Sequence, residues 1–331
     1  MDNTQFGQLC DVLELGKLIK IPVSVSGGLL HAMWHIVTDK NEYAVKELNK
    51  NIIIDQHVID SYELTENIAR AFYERGIPAI ASLKLDNKAL IKIEDNIYIV
   101  YPWVKGNTLG RDEVSKVHAV KVATILATIH KLNLHFIEIT HPEWDINRND
   151  YFGALTHKAL QHDLSFAPQL SDNLENIFLW NKKYQQSISK LDKTLVVSHG
   201  DLDQKNILWT DNLDPVLIDW ESARLLNPTQ EILNAALDWS GVTSCNINRD
   251  IFQAMLIQYK KTSGTIKSHQ ISAAFWGIIG NWINWLTYNI KRSLDKRINS
   301  EEKILALDQA HRVLNTLIYL TSQMDGLIHL I

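Results

Sequence analysis

Over the first hundred residues apolar positions alternate with polar ones or cluster in short runs, and the pattern predicts a sheet. Residues 21–25, 32–38 and 42–48 read as strands. Ser26-Gly27-Gly28 and Asp39-Lys40-Asn41 read as the turns between them. Residues 55–75 switch to a helical period, with Ile59, Leu64, Ile68, Ala69 and Phe72 on one side, and Gly76-Ile77-Pro78 stops the run. Residues 90–93 and 97–101 form a hairpin pattern around Glu94-Asp95-Asn96. After Pro102-Trp103-Val104-Lys105-Gly106 the period is helical almost throughout: 114–132, 174–191, 250–261, 269–291 and 301–323. Residues 141–167 show no regular period and predict no element. The expected fold class is α+β, with a small mixed N-terminal lobe over 1–101 carrying an antiparallel sheet. A hinge at 102–106 and a larger, mostly helical C-terminal lobe over 107–331 complete it.

Composition narrows the function classes. At 46% hydrophobic residues in 331, a sizeable core is within reach, and a net charge of −5 leaves no basic footprint for nucleic acid or an anionic membrane. Cys10 and Cys245 stand far apart, without metal-ligand spacing. The start of the chain is polar, and the apolar 313–331 stretch is broken by Asn315, Gln323 and Asp325. The expectation is a cytoplasmic protein with neither nucleic-acid nor membrane partners; nothing in the sequence specifies an oligomeric state.

One segment carries the chemistry. An apolar run at Val196-Val197 leads into His199-Gly200-Asp201, with Asn206 a short loop further on, and a second apolar run, Val216-Leu217-Ile218, ends in Asp219. Taken singly, Asp and Asn favour strand-end turns. Together, one carboxylate to orient and deprotonate a hydroxyl, plus an amide oxygen and a second carboxylate to hold a hard cation, are the parts that phosphoryl transfer requires. Asp201 is the candidate base; Asn206 and Asp219 are the candidate magnesium ligands.

The run His199-Gly200-Asp201-x4-Asn206 followed by Ile218-Asp219-Trp220-Glu221 resembles the aminoglycoside phosphotransferase and choline kinase superfamily. The resemblance implies the two-lobed protein-kinase-like fold, Asp201 as base, His199 bracing the loop, and Asn206 and Asp219 on magnesium. It extends in order along nearly the whole chain. Tyr43-Ala44-Val45-Lys46 resembles the strand bearing the phosphate-binding lysine. Glu66 or Glu63 of the following helix is the acid expected to pair with Lys46, with Glu66 preferred. Ser26, Gly27 and Gly28 are expected to cover the phosphates of ATP or GTP, although the protein-kinase glycine pattern is absent. Tyr101, Trp103 and Val104 resemble the hinge that meets the purine; Pro102 has no N–H to offer. Leu126-Ala127-Thr128-Ile129-His130 resembles the helix before the acceptor region, with His130 read as structural.

The expected activity is that of a small-molecule kinase, aminoglycoside-phosphotransferase-like, using Mg2+ and ATP or GTP. Choline, ethanolamine or homoserine-type kinases are alternatives, as is a catalytically silent binding or structural protein on the same fold. The absence of Asp-Phe-Gly and Ala-Pro-Glu elements speaks against a protein kinase. Trp282 and Trp285, spaced i, i+3, read as core packing more readily than as an acceptor pocket.

Overall fold

The computed structural model describes residues 3–25, 31–53 and 55–331. They form two compact units, one drawn from 1–113, 136–139 and 199–224, the other from 114–135, 140–198 and 225–331.

The first unit is built on a five-stranded antiparallel sheet of β1 (Val23–Val25), β2 (Ala32–Val37), β3 (Glu42–Glu47), β4 (Ile91–Ile93) and β5 (Asn96–Pro102), in the order β1-β2-β3-β5-β4. Alternation along β3 sends Tyr43 and Val45 to one face, Ala44 and Lys46 to the other. The first face, with Ile36, Ile91, Tyr98 and Val100, closes on helix α1 (Asn3–Val12) through Phe6, Leu9 and Cys10. Helix α1 was not among the predicted elements. Its apolar stripe is short, and a helix of 10 residues is marginal until it is packed.

Helix α2 (Gln56–Tyr73) follows the predicted period. Asp55 accepts from Val58 N at 3.0 Å to cap its start, and Ile68, Ala69 and Phe72 are buried. Beyond its end Gly76 takes φ +84°, and Ile77 N returns to Phe72 O at 3.1 Å. Within the segment 199–224, β7 (Ile207–Trp209) and β8 (Pro215–Leu217) pair antiparallel. This segment packs on the chain around α2 and after β5: Ala79 bridges Leu217, Asn107 bridges Trp209, and Phe72 stacks on Trp220 at 5.3 Å. A Cβ on Gly106 would lie 2.8 Å from Trp209 O, so glycine lets the two backbones close.

The second unit holds α3 (Lys116–Leu132), α4 (Asn149–Gln161), α5 (Ala167–Asp172), α6 (Leu174–Leu191), α7 (Pro228–Ser240), α8 (Arg249–Lys261), α9 (Ile271–Leu294) and α10 (Ser300–Ile328). Strand β6 (Val196–Ser198) pairs with β9 (Arg224–Leu226), where the chain leaves this unit and returns to it. Helix α9 packs on α6 and α10, and α3 packs on α8. A Cβ on Gly280 of α9 would meet the Tyr184 ring of α6 at 2.3 Å, which makes this contact glycine-dependent. Helix α4 occupies part of 141–167, where no element was predicted. Thr156 is one of its four buried residues, which weakens the apolar signal. No helix among the described residues is long and apolar enough to cross a membrane.

Candidate active site

The loop after β6 is held by its own polar atoms. His199 is fully buried; its Nε2–H donates to Ile218 O at 3.0 Å, and its Nδ1 accepts from Asp201 N at 3.3 Å. Both ring nitrogens are thus used by a neutral imidazole, which ties the Asp201 backbone to the strand end before Asp219. Gly200 sits at φ +82°, where a Cβ would lie 2.3 Å from Ser222 O. No other residue type fits that position without movement. Asn206, 3% exposed, donates from Nδ2 to both Asp201 O and Asp201 Oδ2 at 2.8 Å, and its backbone O accepts from Ile218 N at 3.0 Å.

Asp219 adopts φ 60°, ψ 64°. This left-handed conformation costs a non-glycine residue about 1–2 kcal/mol. A glycine would relieve it, so the carboxylate is what the position retains. Its Oδ1 lies 2.8 Å from Lys46 Nζ, and Glu221 Oε2 lies 2.9 Å from the same nitrogen. Burial disfavours the Lys46 ammonium, but the two carboxylates outweigh it and push its pKa up. Lys205 Nζ stands 3.2 Å from Asp201 Oδ2 and 3.0 Å from Asp203 Oδ2. Burial opposes its charge too, yet the paired carboxylates push it up to about 12. Burial and Asp201 raise the Asp203 carboxyl.

The expected pairing of Lys46 with a helix α2 acid is not what the structure shows. Glu66 Oε1 accepts from Tyr101 Oη at 2.5 Å. Burial pushes the Glu66 carboxyl's pKa up, against the pull of the Tyr101 and Ser82 hydroxyls and of Lys46. Glu63 accepts from Ala89 N at 2.9 Å and Leu90 N at 3.1 Å. The ammonium therefore takes the more accessible Asp219 and Glu221, while Glu66 stays buried against a hydroxyl.

In the expected hinge, Tyr101 lies opposite Ala44 in the sheet, with its hydroxyl committed to Glu66. Trp103 stacks on His35 at 3.9 Å, and its N–H is taken by Glu42 O at 3.0 Å. With Pro102 lacking an N–H, Val104 supplies the next amide along the segment. Ser26, Gly27 and Gly28 lie outside the described residues.

Four functional candidates escaped the sequence reading. Glu221 lies inside the quoted Ile218–Glu221 run, so its signal was present; Lys205 sits directly before Asn206. His31 and Tyr62, which meet beside Glu221, left no motif.

The donor set suits a divalent cation. Asp201, Asp203, Asp219 and Glu221 set four carboxylates against Lys46 and Lys205, an excess of two negative charges. Asn206 Oδ1 takes no part in the bonds its Nδ2 makes, and Asp219 Oδ2 takes no part in the lysine pair. No group of three His, Cys, Asp or Glu among the described residues forms a ready-made metal cage. Few protein oxygens plus phosphate oxygens is the usual arrangement for magnesium.

His130 belongs to a separate buried network in the second unit. Its Nε2 lies 2.7 Å from Glu231 Oε2 and its Nδ1 2.7 Å from Tyr259 Oη, while Ser198 Oγ donates to Glu231 Oε1 at 2.8 Å. Trp285 is 42% exposed and stacks on Tyr288 at 5.1 Å, which places it at the surface and outside the core.

Solved structures share the fold. Spectinomycin phosphotransferase, in complex with ADP and spectinomycin, aligns with TM-score 0.69 at 13% identity over 94% of this chain and 97% of its own. Choline kinase from Streptococcus pneumoniae aligns with TM-score 0.63 at 14% identity over 96% and 99%. Amicoumacin kinase, in complex with AMP-PNP, Ca2+ and Ami, gives 0.65 at 10% over 95% and 94%. No curated protein matches by sequence. The model of the phosphotransferase enzyme family matches residues 23–263, most of the chain and both halves of the site, and the protein belongs to that family.

Proposed function

We propose that this phosphotransferase moves the γ-phosphate of ATP or GTP to a hydroxyl of a small acceptor, in the manner of the aminoglycoside-modifying kinases. One observation carries the reading: Lys46, Asp219, Asn206 and Asp201 converge within a single packed unit, with Asp219 kept as a carboxylate at a strained backbone position. A catalytically silent relative has no need of that strain.

In this reading Asp201 orients the acceptor hydroxyl and takes its proton. Asn206 and Lys205 both engage Oδ2, which leaves Oδ1 as the oxygen presented to the acceptor. Lys46 neutralises phosphate oxygens, and His199 keeps the Asp201 backbone in register with Asp219. Asn206 Oδ1 and Asp219 would hold Mg2+, which when bound screens the phosphate charge. Residues 1–101 then serve as the nucleotide-binding lobe, 102–106 as the hinge whose Tyr101, Trp103 and Val104 surroundings meet the purine, and 107–331 as the lobe offering the acceptor site. Small hydroxyl-bearing acceptors such as an aminoglycoside, choline, ethanolamine or homoserine fit the class.

The test is a turnover screen with ATP and GTP in magnesium, run against aminoglycosides, choline, ethanolamine and homoserine. Acceptor-stimulated release of nucleoside diphosphate supports the reading and names the acceptor. Nucleotide binding without any stimulated turnover favours the silent relative.

A further inference from the structure

Between the candidate base Asp201 and the candidate metal ligand Asn206, the chain makes a short 3-10 turn over Gln204–Asn206. Asp203 grips that turn with both of its carboxylate oxygens. Its Oδ1 accepts from Lys205 N at 3.0 Å, which caps the turn, and its Oδ2 lies 3.0 Å from Lys205 Nζ. One carboxylate therefore ties Lys205 at its backbone and at the tip of its side chain, which removes much of the rotamer freedom of a long side chain. Held in this way, Nζ also stands 3.2 Å from Asp201 Oδ2. Next along the chain, Asn206 O accepts from Ile218 N at 3.0 Å, so the turn is anchored beyond the lysine as well.

Asp201 Oδ2 thus meets Lys205 Nζ and, at 2.8 Å, Asn206 Nδ2. The donors are not equivalent. Asn206 Nδ2 is shared with Asp201 O, and the other end of the same amide is the oxygen a metal ion would take. Its plane is set by those partners together. Both contacts of Lys205 Nζ are to carboxylates, and it brings a full positive charge to the base. The side chains of Asp201, Asp203 and Lys205 are 41%, 27% and 57% exposed, and ion pairs this open add little to folding. An interaction of small worth to the fold, made to the reacting carboxylate, is one whose loss is read in turnover.

We propose that Asp203 and Lys205 are positioning residues for phosphoryl transfer: Asp203 holds the lysine ammonium, and the ammonium fixes the orientation of the Asp201 carboxylate toward the acceptor hydroxyl. A carboxylate free to turn presents its oxygen productively for only part of the time. A surface ion pair without function is the simpler alternative, and it predicts wild-type turnover once the pair is removed. The proposal rests on the reading of Asp201 as the base.

Release of nucleoside diphosphate separates the two. It is followed with Mg-ATP or Mg-GTP, whichever turns over faster, with the best acceptor among aminoglycosides, choline, ethanolamine and homoserine, and with water alone. In Lys205→Met, kcat should fall about tenfold, the size of one hydrogen bond to a charged group, while KM for the nucleotide stays within about twofold. The midpoint in denaturant should match wild type. Lys205→Arg, which restores a cation, should recover most of the loss. Asp203→Asn keeps an oxygen for Lys205 N but loses the charge facing Nζ, and its kcat should fall between those of wild type and Lys205→Met. Wild-type kcat in Lys205→Met overturns the proposal, as does a loss carried by KM or by a lower midpoint, or one that Lys205→Arg does not reduce. Asp201→Asn tests the underlying reading separately: if it keeps wild-type kcat, Asp201 is not the base, whatever Lys205 does. A wild-type protein that releases no diphosphate with any acceptor or with water overturns the kinase reading itself.

Discussion

The Lys46 cluster and the His130 network use the same materials to opposite ends. Each sets a nitrogen base against carboxylate, with a tyrosine close by. Around His130 every polar atom named has a partner and the His130–Glu231 contact is sealed, its side chains 4% and 10% exposed. Around Lys46 the carboxylates outnumber the cations, and Asp219 and Glu221 keep 36% and 25% of their side chains open. A closed network whose polar atoms are engaged with one another has nothing left to offer a ligand, and its worth is in holding α3, α7, α8 and β6 together. An open cluster with surplus negative charge is poorly arranged for stability alone. Such an arrangement suits a cation and phosphates.

The contrast makes mutations fall on different observables. Asp201→Ala has the largest expected effect, a loss of about a thousandfold in kcat for acceptor-dependent turnover, with nucleotide affinity largely intact. Turnover that survives this change would remove Asp201 from the role of base. His130→Leu comes next: Glu231 loses a partner in a buried setting, for about 3 kcal/mol of stability, read as a lower midpoint in denaturant at unchanged slope. A purely kinetic effect, at wild-type midpoint, would erase the distinction between the two regions. Asp219→Gly should raise the magnesium concentration needed for half-maximal turnover about tenfold while leaving the midpoint close to wild type, since glycine also removes the backbone strain. Unchanged metal dependence would argue against its ligand role.

The smallest effect expected is one of pH. The His31 pKa is lowered to about 4 in the folded protein from an ordinary value of 6.5, so between these limits the unfolded chain binds more protons. The stability this histidine contributes is present above about pH 6.5 and is lost as pH falls toward 4. A glutamine at position 31 should flatten the fall in Tm over that interval, measured by thermal unfolding at several pH values. An unaltered pH slope would mean that the ring is not held neutral by its surroundings.

Much of the site could be read from residue order because its parts are local. His199, Gly200, Asp201 and Asn206 lie in one loop whose geometry is set by short-range hydrogen bonds, and Asp219 follows one hairpin later. Lys46 was placed by the resemblance of Tyr43-Ala44-Val45-Lys46 to the strand bearing the phosphate-binding lysine. Helix α2 announced itself through its stripe and its Gly76 stop. Helix α1 did not, since 10 residues with three buried side chains carry too weak a pattern without the sheet that covers them.

The partner of Lys46 was of another kind. Spacing along α2 offered Glu63 and Glu66 on a similar face, with Glu66 preferred. Which carboxylate reaches an ammonium depends on who else competes for each acid: Tyr101 for Glu66, the Ala89 and Leu90 amides for Glu63, His31 and Tyr62 beside Glu221. Sequence alone established the reaction class, since that chemistry needs particular residue types at short separations along the chain. Only the folded chain settled which acids face Lys46, because that choice is made between segments far apart in sequence, by burial and by competition for hydrogen bonds.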